Sequence, residues 1–433
     1  MQFNREPTEK RFLKGTHRAC SPAQTLEKIR PYMAQMGITR VANITGLDHI
    51  GIPVVTVCRP NARALSVAQG KGIDLDSAKA SGVMEAMESY LAEHMTLPLT
   101  LASTREMQTR GEVIALSRLP KLSTLVYQED MSLLWVEGQR LGRPGSVWLP
   151  HDLVHTNYTL PLPQGSGAFM MTTNGLASGN TRDEALIHGL CELIERDATS
   201  LWQLGGGADG DVPMLDLDSV TSAMCNQVLQ RYRDAEMDVG VWDTSTDLGV
   251  ASFYCTIIDK TDNPLRPLYP ASGAGCHPNR EVALLRALTE AAQTRLTLMS
   301  GSRDDTGLDD YQGLQDKALQ TQIRRWLAEP NAKIQYAQVV NFDADTFEQD
   351  IAFLLQRLAH CGIDTPVFVD LSQPEFDIQV VRVVAAGLEG ISDLPGYSPG
   401  ERGQAVIGKK KSDMALTRKS TMAAQTAESG VVL

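Results

Sequence analysis

The chain has 433 residues, of which 42% are apolar and 21% charged, so it has ample material for a folded core and is not mainly disordered. Its 40 Lys and Arg residues stand against 52 Asp and Glu residues, a formal net charge of -12 that disfavours a broad surface for nucleic acid. The first residues lack the apolar stretch of a signal peptide, no window approaches the ~18 apolar residues of a membrane helix, and the seven cysteines lack zinc-site spacing, so we expect a cytoplasmic protein with reduced thiols.

The first predicted element is a helix that begins after Ser21. Pro22 occupies its first position, Gln24 completes a capping pattern with Ser21, and Gly37 marks its expected end. Apolar runs and helical periodicity predict further elements along the chain. The predicted strands are 53–57, 133–137, 239–243, 251–258, 366–370 and 379–385, and the predicted helices are 315–328 and 346–360.

Three helical segments of the chain resemble one another. They are residues 78–90, 185–197 and 283–295. The segments align without gaps on Glu85, Glu192 and Glu290, and each follows a glycine-rich stretch. Their period of roughly a hundred residues is too long for a solenoid repeat and suggests one αβ module used three times around a shared centre. The alternative is a chance likeness between amphipathic helices, but the polar matches fall on one side of each helix.

Two of these helices carry acidic side chains on one face. The polar residues on these faces are Ser81, Glu85 and Glu88 in the first helix, and Glu184, His188, Glu192, Glu195 and Arg196 in the second. A single E-x-x-E pair is usually a solvated stripe, whereas two pairs at matched positions of a repeat indicate a site. If the helices converge, their carboxylates need a cation, and oxygen ligands suit Mg²⁺. Glu184 could instead act only in a capping box with Thr181.

The common nucleotide-binding motifs do not fit this sequence. Residues 403–409 have the spacing of a phosphate-binding loop, but Lys410 stands where that loop needs Ser or Thr. No G-x-G-x-x-G motif follows a predicted strand.

The glycine-rich and acidic segments resemble the YcaO family. The motifs that carry the resemblance are Gly70-Lys71-Gly72 with Ser81, Glu85 and Glu88, then 174–180 with Glu184, then 192–197 and 290–295. The likeness runs from about Lys14 to about Arg402. It implies an α/β (mixed α+β) fold in a single large domain of repeated αβ modules around a central ATP site. We expect an N-terminal helix-strand segment at 1–60, a catalytic core at 61–405 and a polar, basic tail at 406–433.

The resemblance also implies a chemistry, because YcaO proteins use ATP to phosphorylate a peptide backbone amide oxygen. The implied catalytic residues are Glu85, Glu88, Glu192, Glu195 and Arg196; the four glutamates are the implied Mg²⁺ ligands, and Lys14, Ser81, Asn180, Glu184, Arg196 and Arg295 are the implied ATP contacts. Mg²⁺ and arginine neutralise the charge on phosphates, so no protein nucleophile is required. The substrate is expected to be a peptide or protein.

The segment from 37 to 61 looks more like members that work with a TfuA protein and insert sulfur to make a thioamide. The end of the chain supports this, because azoline-forming members often finish in a Pro-rich tail and no Pro follows Pro399 here. Azoline cyclodehydration and a non-catalytic ATP-binding scaffold remain the alternatives. We also expect a homodimer, with residues from Lys409 onward mobile or reaching across it.

Overall fold

The computed structural model describes residues 8–124, 126–261, 270–390 and 394–412. The helices are α1 Pro22–Ile29, α2 Leu75–Glu93, α3 Thr104–Arg110, α4 Arg182–Leu204, α5 Ala223–Asp234, α6 Arg280–Ser300, α7 Leu308–Leu314, α8 Lys317–Ala328, α9 Phe347–His360 and α10 401–412. The strands are β1 Arg40–Asn43, β2 Val54–Cys58, β3 Val67–Lys71, β4 Thr100–Ser103, β5 Lys121–Leu122, β6 Ser132–Arg140, β7 Ser146–Pro150, β8 Leu176–Gly179, β9 Met214–Leu215, β10 Met237–Asp243, β11 Ala251–Asp259, β12 Ala271–His277, β13 Lys333–Ile334, β14 Val367–Asp370, β15 Gln379–Val384 and β16 Tyr397–Ser398.

The strands form mainly antiparallel sheets. One sheet has the order β1-β2-β3, a second β12-β11-β10-β9-β13, and a third β4-β6-β14-β15-β8 with β7 paired to β6, while β5 and β16 form a two-stranded ribbon. Strands β9 and β13 run parallel. Among the described residues, the helices are all too short or too polar to cross a bilayer. The architecture is the mixed α/β fold expected from the sequence.

Three strand-helix units recur in this fold, and we call them the first, second and third modules: β3 with α2, β8 with α4, and β12 with α6. Each of the three strands lies at one edge of its sheet. The strands lie so close to their helices that only glycine fits: a Cβ on Gly70 would lie 2.0 Å from the carbonyl oxygen of Ala78, and one on Gly275 would lie 2.2 Å from that of Ala283. The glycine-rich stretches before the repeated helices therefore reflect this packing.

The apolar sides of the repeated helices are buried in the core. Val83, Met87 and Leu91 of α2 are 0% exposed, and Leu190 and Ile194 of α4 are 1% exposed. Burying each such side chain stabilises the fold by about 1.5–3 kcal/mol. Because these faces point into the core, the acidic faces on the other side of both helices are held in fixed directions.

The helix predicted at Ser21 begins as expected but ends early. Ser21 and Gln24 form the capping box, and α1 then stops at Ile29, where a short 3₁₀ segment replaces it. Pro31 lies in that segment, and proline removes a backbone donor and clashes with the preceding helical turn. The other predicted helices and strands are present, with ends shifted by a few residues.

The expected segment boundaries fall within continuous structure. Strand β2 pairs with β3, so the boundary near residue 60 lies inside one sheet. The boundary at 406 lies inside α10, which is tied to α4 because the Nε of Arg402 donates to the fully buried Asp197 at 3.0 Å. The expectation that the tail from Lys409 is mobile or crosses a dimer concerns mainly residues 413–433, which lie outside the described residues.

Candidate functional site

The three modules surround a cavity of about 670 Å³. This volume lies within the usual range for small-molecule sites. Nine of the ten residues predicted as site residues line it: Lys14, Ser81, Glu85, Glu88, Asn180, Glu184, Glu192, Glu195 and Arg196. The predicted convergence of the four glutamates on one cavity is therefore found in the structure.

The glutamates are crowded and largely withdrawn from water. Burial raises the pKa of Glu85 to about 7 and the pKa of Glu88 to about 8, and the neighbouring charge of Glu192 adds to both shifts. Burial also raises the pKa of Glu192 and of Glu195. Like charges that interact in a buried cavity resist full ionisation unless a cation joins them. The cluster therefore favours binding of a divalent metal ion.

Two of these carboxylates are held by the strand of the following module. Oε1 of Glu88 accepts hydrogen bonds from the backbone N–H and the hydroxyl of Ser178, at 2.7 and 2.6 Å. Oε2 of Glu195 accepts one from the backbone N–H of Cys276 at 3.1 Å. In the part of the chain that the structure describes, both strands are edges of their sheets, so the carboxylates accept hydrogen bonds from backbone donors that no described strand pairs with. These bonds fix the orientation of the two carboxylates before any ligand binds.

The third module contributes a carboxylate that the sequence-based site omits. Glu290 lines the cavity, its Oε1 accepts from the backbone N–H of Ala274 at 3.2 Å, and its Oε2 lies 2.5 Å from the Nζ of Lys71. Although burial alone would raise it, the charges of Lys71 and Arg196 hold the pKa of Glu290 below its ordinary value. Its place in the repeat, level with Glu85 and Glu192, was the signal that could have found it.

Two arginines face these carboxylates. Arg196 lies 3.2 Å from Glu195 and 3.6 Å from Glu192, and Arg286 lines the same cavity. Among the described residues, the Nε of Arg196 and the Nε of Arg286 are buried and have no hydrogen-bond partner. Buried donors without partners are rare unless a ligand completes them. Guanidinium groups suit phosphate oxygens, so these two side chains fit a polyphosphate in the cavity.

The predicted phosphate contact Arg295 is wrong. Its side chain is 0% exposed, lies outside the cavity wall and pairs with Asp48 at 2.8 Å and with Asp259 at 2.6 Å. The cause is helical geometry: Arg295 follows Glu290 by five residues, which turns it away from the acidic face, whereas Arg286 precedes Glu290 by four and shares that face. Arg295 therefore has a structural role.

The N-terminal segment closes one side of the cavity through Glu184. Arg18 Nη1 lies 3.1 Å from Oε1 of Glu184, and the backbone N–H of Ala19 donates to Oε2 at 3.0 Å. Asn180 donates its side-chain amide to the same carboxylate. The hydroxyl of Thr181 does cap the backbone N–H of Glu184, but the carboxylate itself is directed to the N-terminal segment. A role for Glu184 in capping alone does not fit these contacts.

Comparisons with known proteins show the family to which the chain is similar. Residues 69–389 match the family described as "YcaO cyclodehydratase, ATP- and Mg²⁺-binding", in line with the ATP and Mg²⁺ expected from the sequence. An uncharacterized protein in the tfuA 3' region of Rhizobium leguminosarum bv. trifolii is 38% identical over 379 residues, 86% of this chain and 88% of that one. An uncharacterized protein of Methanothermobacter thermautotrophicus is 34% identical over 382 residues, 87% of this chain and 96% of that one.

Two solved structures are similar in fold. The structure of YcaO from Methanopyrus kandleri bound with AMPPCP and Mg²⁺ has a TM-score of 0.69 and 22% identity, with 91% of this chain and 99% of that chain covered. A heterocyclase in complex with substrate and cofactor has a TM-score of 0.70 and 22% identity, with 89% of this chain covered. The chain spans 54% of the length of that heterocyclase.

Proposed function

The chain belongs to the YcaO family of ATP- and Mg²⁺-binding proteins, and on this premise we propose that it activates a peptide backbone amide for sulfur insertion. The observation that carries the proposal is the meeting, in one cavity, of carboxylates from all three modules with unpartnered guanidinium donors from the second and third. Acidic groups suit a metal ion and guanidinium groups suit phosphates, which together are the requirements of phosphoryl transfer. The proposed products are a thioamide, ADP and phosphate.

The proposed reaction consists of two successive substitution steps. In the first, the amide oxygen forms a bond to the γ-phosphorus of ATP while the bond from that phosphorus to the bridging oxygen breaks, releasing ADP. In the second, hydrosulfide adds to the amide carbon and the phosphorylated oxygen leaves as phosphate. An amide oxygen is a poor leaving group until it carries the phosphoryl group. Each turnover therefore consumes one ATP for each oxygen replaced by sulfur.

The residues have separable roles in this proposal. Glu85, Glu88, Glu192 and Glu195 would hold Mg²⁺, and Glu290 is placed to assist them. When bound, the metal ion neutralises charge on the phosphates. Arg196 and Arg286 donate to phosphate oxygens, while Lys14, Ser81, Asn180 and Glu184 contact the rest of the nucleotide. The hydrogen bonds from Ser178 and Cys276 fix the carboxylates of Glu88 and Glu195 in advance, which lowers the reorganisation that ligand binding requires.

A TfuA-like protein is the proposed partner that delivers sulfur. The similarity to the Rhizobium protein in the tfuA 3' region supports this assignment. The alternative, azoline formation, is supported by the family description as a cyclodehydratase and by the fold shared with a heterocyclase. In that reaction a side chain of the peptide attacks its own backbone, and no sulfur is added. The non-catalytic scaffold would bind ATP without substrate-dependent phosphate release.

Product mass separates these functions. The protein is incubated with ATP, Mg²⁺, sulfide and a candidate precursor peptide, with and without a TfuA-like protein, and the peptide is weighed by high-resolution mass spectrometry. We expect the mass gain of replacing oxygen with sulfur, dependent on the TfuA-like protein and absent with Glu192→Gln. Loss of the mass of one water, independent of the partner, would establish azoline formation instead. Phosphate release is measured in the same incubations. If the peptide does not stimulate it, the protein is a non-catalytic ATP-binding scaffold.

A further inference from the structure

Lys71 places an ammonium group among the carboxylates of the cavity. It ends the edge strand β3, and its Nζ lies 2.5 Å from Oε2 of Glu290 on helix α6 of the third module. Its side chain is 19% exposed, so the ammonium group is largely withdrawn from water. The pair therefore places a positive charge inside the carboxylate cluster.

The position of Lys71 in the repeat is informative. Lys71 precedes Glu85 by the same number of residues as Ser178 precedes Glu192 and Cys276 precedes Glu290. At this position in the second and third modules, the backbone N–H donates a hydrogen bond to a glutamate of the preceding module, and the side chain is small and neutral. Only the first module has a long cationic side chain at this position. We therefore expect the charge of Lys71 to have a role that Ser178 and Cys276 do not share.

The ammonium group acts on carboxylates of all three modules. It directly contacts Glu290, and its charge also opposes the burial-induced rise in the pKa of Glu85 and of Glu195. Arg196 and Arg286 present planar guanidinium groups from helices α4 and α6, whereas lysine is a compact charge on a flexible stem with four carbons. Lysine can therefore move between neighbouring anions at little cost.

We propose that Lys71 is an internal cation that occupies the carboxylate cluster before metal binding and that Mg²⁺ displaces it toward the nucleotide phosphates. The proposal rests on the proposed ATP- and Mg²⁺-dependent function of this site. A divalent ion at the glutamates makes the ammonium redundant there, because it supplies more charge at shorter distance to oxygen. Phosphates bound in the same cavity then offer the ammonium group a new anionic partner. Metal binding and phosphate binding are thereby coupled through one side chain.

A purely structural pair would behave differently. Lys71 and Glu290 join β3 to α6, so they could simply hold the first and third modules together. In that case removal of the ammonium would weaken metal binding or leave it unchanged, since the modules would loosen. If Lys71 instead competes with Mg²⁺, its removal strengthens metal binding. The direction of the change therefore distinguishes the two roles.

The first test measures Mg²⁺ affinity by calorimetry without nucleotide. We expect Lys71→Met to bind Mg²⁺ roughly tenfold more tightly than the parent, about 1.4 kcal/mol, yet to release phosphate from ATP more slowly. Lys71→Arg keeps the charge and should bind Mg²⁺ much as the parent does. Lys79→Met is the matched control, because Lys79 pairs with Asp76 on α2 and lies outside the cavity wall. Unchanged or weaker Mg²⁺ binding by Lys71→Met would overturn the proposal.

The second test uses the unmodified protein, so it does not depend on a variant that folds. Lysines are labelled with an amine-reactive reagent and quantified by peptide mass spectrometry. We expect Mg²⁺ alone to increase labelling of Lys71 and Mg²⁺ with AMPPCP to protect it, while Lys79 changes in neither case. Equal labelling of Lys71 in all states would contradict displacement. The Mg²⁺-affinity and labelling measurements involve no peptide substrate, so their failure leaves the amide-activation proposal to be judged by product mass.

Discussion

The side-chain amide of Gln293 donates to the backbone carbonyl of Gln69 at 2.9 Å, and this bond links the third module to the first. Glu88 links the first module to the second, and Glu195 links the second to the third. The helix of each module thus reaches the edge strand of the next, and the three contacts form a closed ring. Gln293 stands three residues after Glu290, where the other two modules have glutamate. The acidic cavity is the centre of this ring.

Replacing Glu192 with Gln is expected to abolish ATP turnover without unfolding the protein. The variant removes one charge from a crowded acidic cluster, so the melting temperature of the metal-free protein should stay unchanged or rise. Phosphate release should fall by about a hundredfold or more, about 2.7 kcal/mol in activation free energy. Glu27→Gln, an exposed glutamate on α1, is the control for both measurements. A destabilised variant with full activity would show that Glu192 is structural.

The stability of the metal-free protein should fall as the pH rises. Burial raises the folded-state pKa of Glu85 to about 7 and of Glu88 to about 8, above the ordinary value of 4.5. The folded state therefore holds protons that the unfolded state has already lost, so the stabilisation is full below 4.5 and is lost as the pH passes through 7 and 8. Thermal unfolding in EDTA across this range should show the decline, and Glu85→Gln with Glu88→Gln should flatten it. A rise in stability over the same range would contradict the assignment.

Two arginines on α6 should give opposite phenotypes. Arg286→Met removes a donor aimed into the cavity, so we expect ATP turnover to fall by about a hundredfold with a modest change in melting temperature. Arg295→Met removes the guanidinium group that pairs with the buried Asp48 and Asp259, which should cost about 3–5 kcal/mol of unfolding free energy. Phosphate release and denaturant unfolding measured on both variants test this. Loss of turnover by a fully stable Arg295→Met would restore Arg295 to the site.

Truncation of the chain end tests the choice between thioamide and azoline chemistry. Residues 430–433 lie outside the described residues and follow a tail without proline. We expect deletion of Gly430 to Leu433 to leave ATP turnover within about threefold of the parent, below roughly 0.7 kcal/mol in barrier. Steady-state phosphate release measures this. A hundredfold loss would place the terminal carboxylate in the active site.

The sequence was sufficient for those features that a local pattern encodes. The acidic faces of α2 and α4 follow from helical period, and the module repeat follows from the alignment on Glu85, Glu192 and Glu290. The assignment of Arg295 failed because it came from the resemblance to the family motif at 290–295, and the angular position of the residue on the helix was not weighed. Arg286, which lies on the correct face, stands outside that motif.

Other features depend on contacts between distant parts of the chain. The bond from Arg18 to Glu184 and the pair between Lys71 and Glu290 join residues that are far apart in sequence. No periodicity in a single segment predicts which strand edge a glutamate will reach. These contacts form only when the modules pack together around the cavity, so no single segment of the sequence encodes them.

The central claim is that the amide oxygen of the substrate receives the γ-phosphoryl group of ATP. The most direct measurement uses a peptide whose reactive backbone amide carries ¹⁸O, with the label followed into phosphate and water by mass spectrometry. We predict that the ¹⁸O is recovered in the released phosphate, one label for each amide converted, and that Glu192→Gln produces none. Recovery of the label in water, with unlabelled phosphate, would contradict activation by phosphorylation.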